Sequence, residues 1–179
     1  MQALKGNKYK DKKSICKWAA DTSLPISPQN FIRCISDILH DDYKKLKCPC
    51  FDETFAWDAD KFEIELKKGK DRSRSETVDF VVGLENGQLL MVEAKLSVSN
   101  VDNIKGEVEK KIEHTRHYLV SSYAFTSCYK PSIVLFGPKD IERNIRRYRN
   151  MRNSQTDIVP MSVEKFYNTF FDQYLTEGY

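Results

Sequence analysis

Residues 76–96 read ETVDFVVGLENGQLLMVEAKL, and this stretch limits the possible folds more than any other part of the chain. Two apolar runs flank Glu85-Asn86-Gly87, the pattern of a β-hairpin. Yet the first run carries Asp79, and the second carries Glu93 and Lys95. Charges in strands this apolar are costly unless they are paired, hydrated or holding a metal.

The turn decides where those charges go. A two-residue Asn-Gly turn sets Phe80 opposite Glu93 and splits the charges between the two faces. A three-residue loop with Gly87 in the left-handed conformation sets Phe80 opposite Val92 instead. Val78, Phe80, Val82 and Leu84 then oppose Ala94, Val92, Leu90 and Gln88 on one apolar face. On the other face Asp79 falls opposite Glu93, Lys95 follows two residues on, and Val81, Leu89 and Met91 fill the far end. A one-residue slip mixes the faces, so burial is expected to select the three-residue loop. An Asp directly opposite a Glu repels it unless something positive lies between them. Lys95 supplies part of that charge, and a divalent cation would supply more.

Around the hairpin, QNFIRCISDILHDDYKKL predicts a helix from residue 29, with Phe31, Ile35, Ile38, Leu39 and Leu46 on one stripe. Phe62, Ile64 and Leu66 alternate with Glu63 and Glu65, which predicts a strand with one wet face. After the hairpin, SVSNVDN offers capping residues for a helix over 101–121, aligned by Ile104, Val108, Ile112 and Leu119. SIVLFGP reads as a strand covered on both faces. A basic helix follows with Ile141, Ile145 and Tyr148 inward, then a strand over 157–161 and a final helix, VEKFYNTFFDQYL, capped by Ser162. Three adjacent strands joined by a helical crossover to a further strand predict an α/β fold: a mixed β-sheet with helices on both faces.

At this point the residues resemble the PD-(D/E)xK nuclease superfamily, also called restriction-endonuclease-like. Val78-Asp79 stands where that family has its Pro-Asp, and Glu93-Ala94-Lys95 matches its (D/E)xK. An acid-x-Lys triplet also starts at Asp11, Asp42, Glu65 and Glu109, but only Glu93 lies in a strongly apolar strand with an acid in register on the strand before. Glu65-Leu66-Lys67, with Asp58 or Asp60 upstream, is the rival. The resemblance implies an αβββαβ core over about 29–137, with a C-terminal α-β-α extension over 138–179 and a basic N-terminal arm over 1–24. At 179 residues the chain suits one such domain.

The resemblance further implies phosphodiester hydrolysis with Mg2+ or Mn2+ as cofactor. Asp79, Glu93 and the Ala94 backbone carbonyl would be the metal ligands. Lys95 would orient or help deprotonate the attacking water and offset developing charge. The family often has a glutamate on its first helix; this helix has none, and Asp42 is the candidate accessory ligand. Lys105 and Arg116 border the apolar stripe of the crossover helix and are candidate nucleic-acid contacts, whereas His114 and His117 read as surface residues. DNA is the expected partner ahead of RNA, and a homodimer would allow both strands to be cut. The alternative is a nucleic-acid-binding or assembly module that keeps the fold without cutting.

Composition adds little against this. Net charge is +3, but IERNIRRYRNMR packs five arginines into residues 141–152, a cluster able to neutralise phosphates. No apolar run approaches the roughly 20 residues of a membrane span, and the N-terminus lacks a signal-peptide core, so a cytoplasmic location is expected. The five cysteines are expected to be reduced thiols. Cys48-Pro49-Cys50 with His40 lacks paired zinc-ligand spacing and reads as two free thiols in a loop.

Overall fold

β4 (Leu89–Lys95) runs through the middle of a six-stranded sheet, flanked by β3 (Phe80–Gly83) on one side and β5 (Ser132–Phe136) on the other. The computed structural model describes residues 9, 26–68, 76–98, 100–123, 127–151 and 157–171. β1 (Ile32–Cys34), β2 (Phe55–Asp58), β3 and β4 pair antiparallel in chain order, while β4, β5 and β6 (Ile158–Ser162) pair parallel. The parallel links need crossovers, supplied by α3 (Lys105–Tyr123) and α4 (Ile141–Met151). The expected mixed α/β sheet is what forms.

Period-two alternation along the central strands feeds two apolar layers. Phe80, Val82, Leu90, Val92, Ile133 and Leu135 pack with α1 (Ile35–Asp42) and α5 (Val163–Phe170) through Ile35, Leu39, Phe166 and Phe170. Val81, Met91, Val134 and Phe136 pack on the other face with α2 (Ala59–Leu66), α3 and α4 through Phe62, Val108, Ile112, Ile145 and Tyr148. Helices therefore cover both faces. Tyr9 reaches into the first layer, and its hydroxyl accepts from the Phe55 N–H at 3.1 Å.

The hairpin takes the register of the three-residue loop: Phe80 faces Val92 and Val82 faces Leu90. Gly87 sits at φ +77°, and its N–H bonds the Leu84 carbonyl at 2.9 Å. The reason differs from the expected one. Both faces of β3 and β4 are buried, so apolar burial alone does not choose between registers. The left-handed glycine and the placement of the three charges make the choice. Val78, which precedes β3, joins the layer of Val81 and Met91 rather than that of Phe80.

Two expectations fail. Residues 59–66 form a helix, not a strand, because the Asp58 side chain caps it by accepting from the Lys61 N–H at 2.9 Å. Ala59, Phe62 and Glu63 are its buried positions, while Ile64 is 46% exposed, so helical rather than alternating periodicity holds. The helix expected from residue 29 is broken into a 3-10 turn over Pro28–Phe31, then β1, then α1. Pairing of Ile32–Cys34 with Phe55–Trp57 wins over local helical periodicity. The downstream expectations hold more closely. Ser162 caps α5 through the Lys165 N–H at 3.0 Å, and Asn100 caps a 3-10 turn ahead of α3.

No helix among the described residues is long and apolar enough to cross a membrane. Cys34, Cys48, Cys50 and Cys128 are free thiols. Burial raises the Cys48 thiol to about 11, which leaves it protonated at neutral pH.

Gly137 follows β5 with its Cα against the chain leaving β4: a Cβ there would lie 2.0 Å from the Leu96 carbonyl oxygen. Gly137→Ala is therefore expected to lower stability by about 1–3 kcal/mol through backbone displacement. Gly87→Ala meets no atom and is expected to cost about 1 kcal/mol from its positive φ alone. Urea unfolding of both variants checks the order.

Candidate active site

Asp79 lies just before β3, in a segment that α2 and α3 hold from both sides. The Ala59 N–H, from the first turn of α2, donates to the Asp79 carbonyl at 3.1 Å. Orphan donors at a helix start thus fix the backbone of this acid. Upstream, the Glu63 carboxylate accepts from the N–H groups of Glu76 and Thr77 at 2.7 and 2.8 Å. The Val78 N–H donates to the Thr115 hydroxyl on α3 at 2.9 Å. The helix that replaces the expected strand is what positions Asp79.

The Asp79 side chain turns toward β4, where its Oδ2 accepts from the Ala94 N–H at 2.6 Å. In an extended strand one residue's N–H and C=O point to the same side. The Ala94 carbonyl therefore also faces the gap left where β3 starts only at Phe80. Just past β4, the Leu96 N–H donates to Asp42 Oδ2 at 3.0 Å, which brings the end of α1 to the same edge. Asp42, Asp58, Asp79, Ala94, Arg33 and Lys61 line a cleft of about 200 Å³ there.

Glu93 is fully buried. Its Oε1 lies 2.8 Å from Lys95 Nζ and 2.9 Å from Lys111 Nζ. Lys111 Nζ is also 4.0 Å from Asp79 Oδ1, so one ammonium stands between the two acids. Glu107, one turn before Lys111 on α3, lies 3.3 Å from Lys95 Nζ. Glu93 Oε2 is buried and has no hydrogen-bond partner among the described residues. A carboxylate oxygen in that position lacks the compensation a buried charge needs.

Burial raises the Asp79 carboxyl well above its ordinary value, and the negative charge of Glu93 raises it further, against the pull of Lys111. Burial on its own would lower Lys95, but the charge and hydrogen bond of Glu93, with Asp79 and Glu107, outweigh it and raise the ammonium. Lys111 behaves the same way, raised chiefly by Glu93 against burial. Both lysines are therefore held firmly charged.

The structure thus brings Asp79, Glu93, Ala94 and Lys95 together, with Asp42 at the rim. Sequence reasoning missed Glu107 and Lys111, which lie one position before Val108 and Ile112, respectively, on the α3 stripe. Arg116 is not with them: it lines a separate concavity with Glu113, Lys130 and Asp157. Lys105 opens α3, and its side chain lies outside the described residues. His117 is exposed, whereas His114 lies 3.3 Å from Glu63.

The rival triplet does not form a site. Glu65 pairs with Lys68 on the helix surface, Lys67 pairs with Glu63 at 2.5 Å, and Asp58 is taken up by Arg33 at 2.6 Å. Glu63, Glu76 and His114 offer ligand atoms within 4.8 Å of one another. Glu63 already serves Lys67 and two backbone N–H groups, so this cluster is a structural knot.

Because Asp79 keeps its proton to higher pH when folded than when unfolded, stability falls as pH rises from the unfolded carboxylate range, about pH 4, through the folded value. In chelator, Asp79→Asn is expected to remove that fall and to be more stable than wild type at neutral pH. Urea unfolding of both proteins across about pH 4 to 8 measures it. Identical pH slopes would mean that Asp79 titrates like a surface carboxylate. No family model, no curated protein and no solved structure matches the chain, so its chemistry has to be read from these side chains.

Proposed function

We propose that this protein is a metal-dependent nuclease that hydrolyses phosphodiester bonds, in DNA ahead of RNA. The observation that carries the reading is the convergence of Asp79 and Glu93 on one cation position, beside a buried Glu93 oxygen with no partner. The donor set is entirely oxygen, from Asp79, Glu93 and the Ala94 carbonyl, as Mg2+ or Mn2+ prefers. The adjoining cleft leaves room for the waters such ions retain.

Bound there, a divalent ion would acidify a coordinated water and polarise the scissile phosphate. The protein's own groups would do the rest. Asp79 and Glu93 would anchor the cation, with Asp42 facing the cleft from the far side. Lys95, held charged, suits donating a hydrogen bond to the attacking water or to a phosphate oxygen rather than taking a proton. Glu107 would position Lys95. Lys111 occupies the space between the acids with its own positive charge, and an entering cation would repel it toward the phosphate.

One observation favours a second reading, a nucleic-acid-binding module without catalysis. Lys95 and Lys111 already offset much of the negative charge of Asp79, Glu93 and Glu107 from within the fold. A cluster so balanced can persist as structure alone.

Cleavage of single- and double-stranded DNA with Mg2+ or Mn2+, by wild type and Lys95→Ala in parallel, separates these. Metal-dependent cutting that drops at least about 100-fold in Lys95→Ala is expected; equal activity in both proteins would sink the assignment. Calorimetric Mn2+ titration supplies a second check. Asp79→Asn and Glu93→Gln should lose binding, while Lys111→Gln, which removes the resident ammonium, should bind Mn2+ more tightly and cut more slowly.

A further inference from the structure

α4 carries an exposed arginine stripe whose members repel one another along the helix. Its buried positions are Asn144, Ile145 and Tyr148, and its exposed face holds Arg143, Arg146 and Arg149 around one concave surface with Glu142 and Asn150. Arg147 is spent on an ion pair with Asp102, its Nε donating to Oδ1 at 3.0 Å. Arg143, Arg146 and Arg149 have no carboxylate within ion-pair distance among the described residues. Arg143 and Arg146, and then Arg146 and Arg149, are like charges three residues apart, a destabilising spacing on a helix. Arg143 also stands in the first turn, where the helix dipole disfavours a cation. An anion laid along this face would reverse both penalties.

The stripe is also fixed relative to the acid-lysine cluster. Asn144 Nδ2 donates to the Lys139 carbonyl at 3.2 Å, and Arg147 ties α4 to the 3-10 turn Val101–Asn103. From that turn α3 runs directly to Glu107 and Lys111. β4 and β5 are parallel with Lys95 beside Phe136, so α3 and α4 both start from the sheet edge that carries Lys95. From Arg143 to Arg149 is six residues, about 9 Å along a helix. A DNA strand presents a phosphate about every 3.4 Å of axis, so the stripe spans two to three successive phosphates.

We propose that the Arg143–Arg146–Arg149 face of α4 is a backbone-binding track that holds a nucleic-acid strand beside the Asp79–Glu93 cluster. The track deepens the nuclease reading and rests on it for its placement, but its binding is independent of cleavage. It reads phosphates, not bases, and confers no sequence preference.

Fluorescence anisotropy of labelled single- and double-stranded DNA with the full chain, in EDTA and over a salt series, tests it. The variant R143Q/R146Q/R149Q is expected to bind at least tenfold more weakly, with a salt slope lower by about 2 to 3. R143K/R146K/R149K should keep most of the slope, since lysine still neutralises a phosphate. Thermal melting confirms that each variant is folded. With Mg2+, the glutamine variant should raise KM and leave kcat unchanged. Salt-sensitive binding lost in the glutamine variant, with no cutting by any protein, would remove the nuclease reading and keep the track. Cutting by wild type with affinity and slope unchanged in the glutamine variant would overturn the track and leave the nuclease. Failure of wild type to bind DNA, or a glutamine variant that loses only binding to phosphatidylserine vesicles, would also overturn it.

Discussion

A carboxylate sealed inside a central strand is the constraint around which this protein is built. Glu93 has no access to solvent, and an ion taken from water into a protein interior costs several kcal/mol unless it is compensated. At Glu93, β5 closes one side of β4 and the Asp79 segment ahead of β3 lies on the other, so positive compensation must come from its own face. Lys95 supplies one ammonium from the same strand. The second, Lys111, comes from α3, which fixes how the crossover helix lies over the sheet. Glu107 then balances Lys95, and the cluster ends with one Glu93 oxygen unserved.

Asp79 adds to the strain instead of relieving it. It faces the same region as Glu93 and is pushed toward its protonated form by burial and by that neighbour. Such an acid stays in place only because its backbone is held elsewhere. The start of α2 binds its carbonyl, Glu63 binds the two N–H groups before it, and Thr115 binds Val78. Fold energy invested around a destabilised acid is the pattern expected of a functional site. It is harder to explain as packing, since an asparagine would fit the same backbone without the repulsion.

The edge where β4 and β5 end carries unlike surfaces on its two sides. On the α1 side, Arg33 and Lys61 neutralise Asp58 and Asp41, so the cleft beside Asp79 is mixed in charge. On the α4 side, Arg143, Arg146 and Arg149 share the surface with one acid, Glu142, and make no ion pair among the described residues. A polyanion approaching this edge therefore meets its favourable potential over α4 first.

Much of this was legible in the sequence. Gly87 in its loop set the hairpin register, and the register put Asp79 opposite Glu93 with Lys95 behind, because side chains alternate strictly along a strand. The apolar run before Gly137 and the Ser162 cap likewise placed β5 and α5. Residues 59–66 misled because buried Glu63 interrupts the apolar stripe of a helix, while Phe62, Ile64 and Leu66 mimic a strand. β1 hid inside a helical pattern because pairing with a strand more than twenty residues away outweighs local periodicity. Sequence spacing on α3 singled out Lys105 and Arg116 as the cations bordering its apolar stripe and passed over Lys111. Only the lie of α3 across β4, set by the need to neutralise a buried Glu93, selected Lys111.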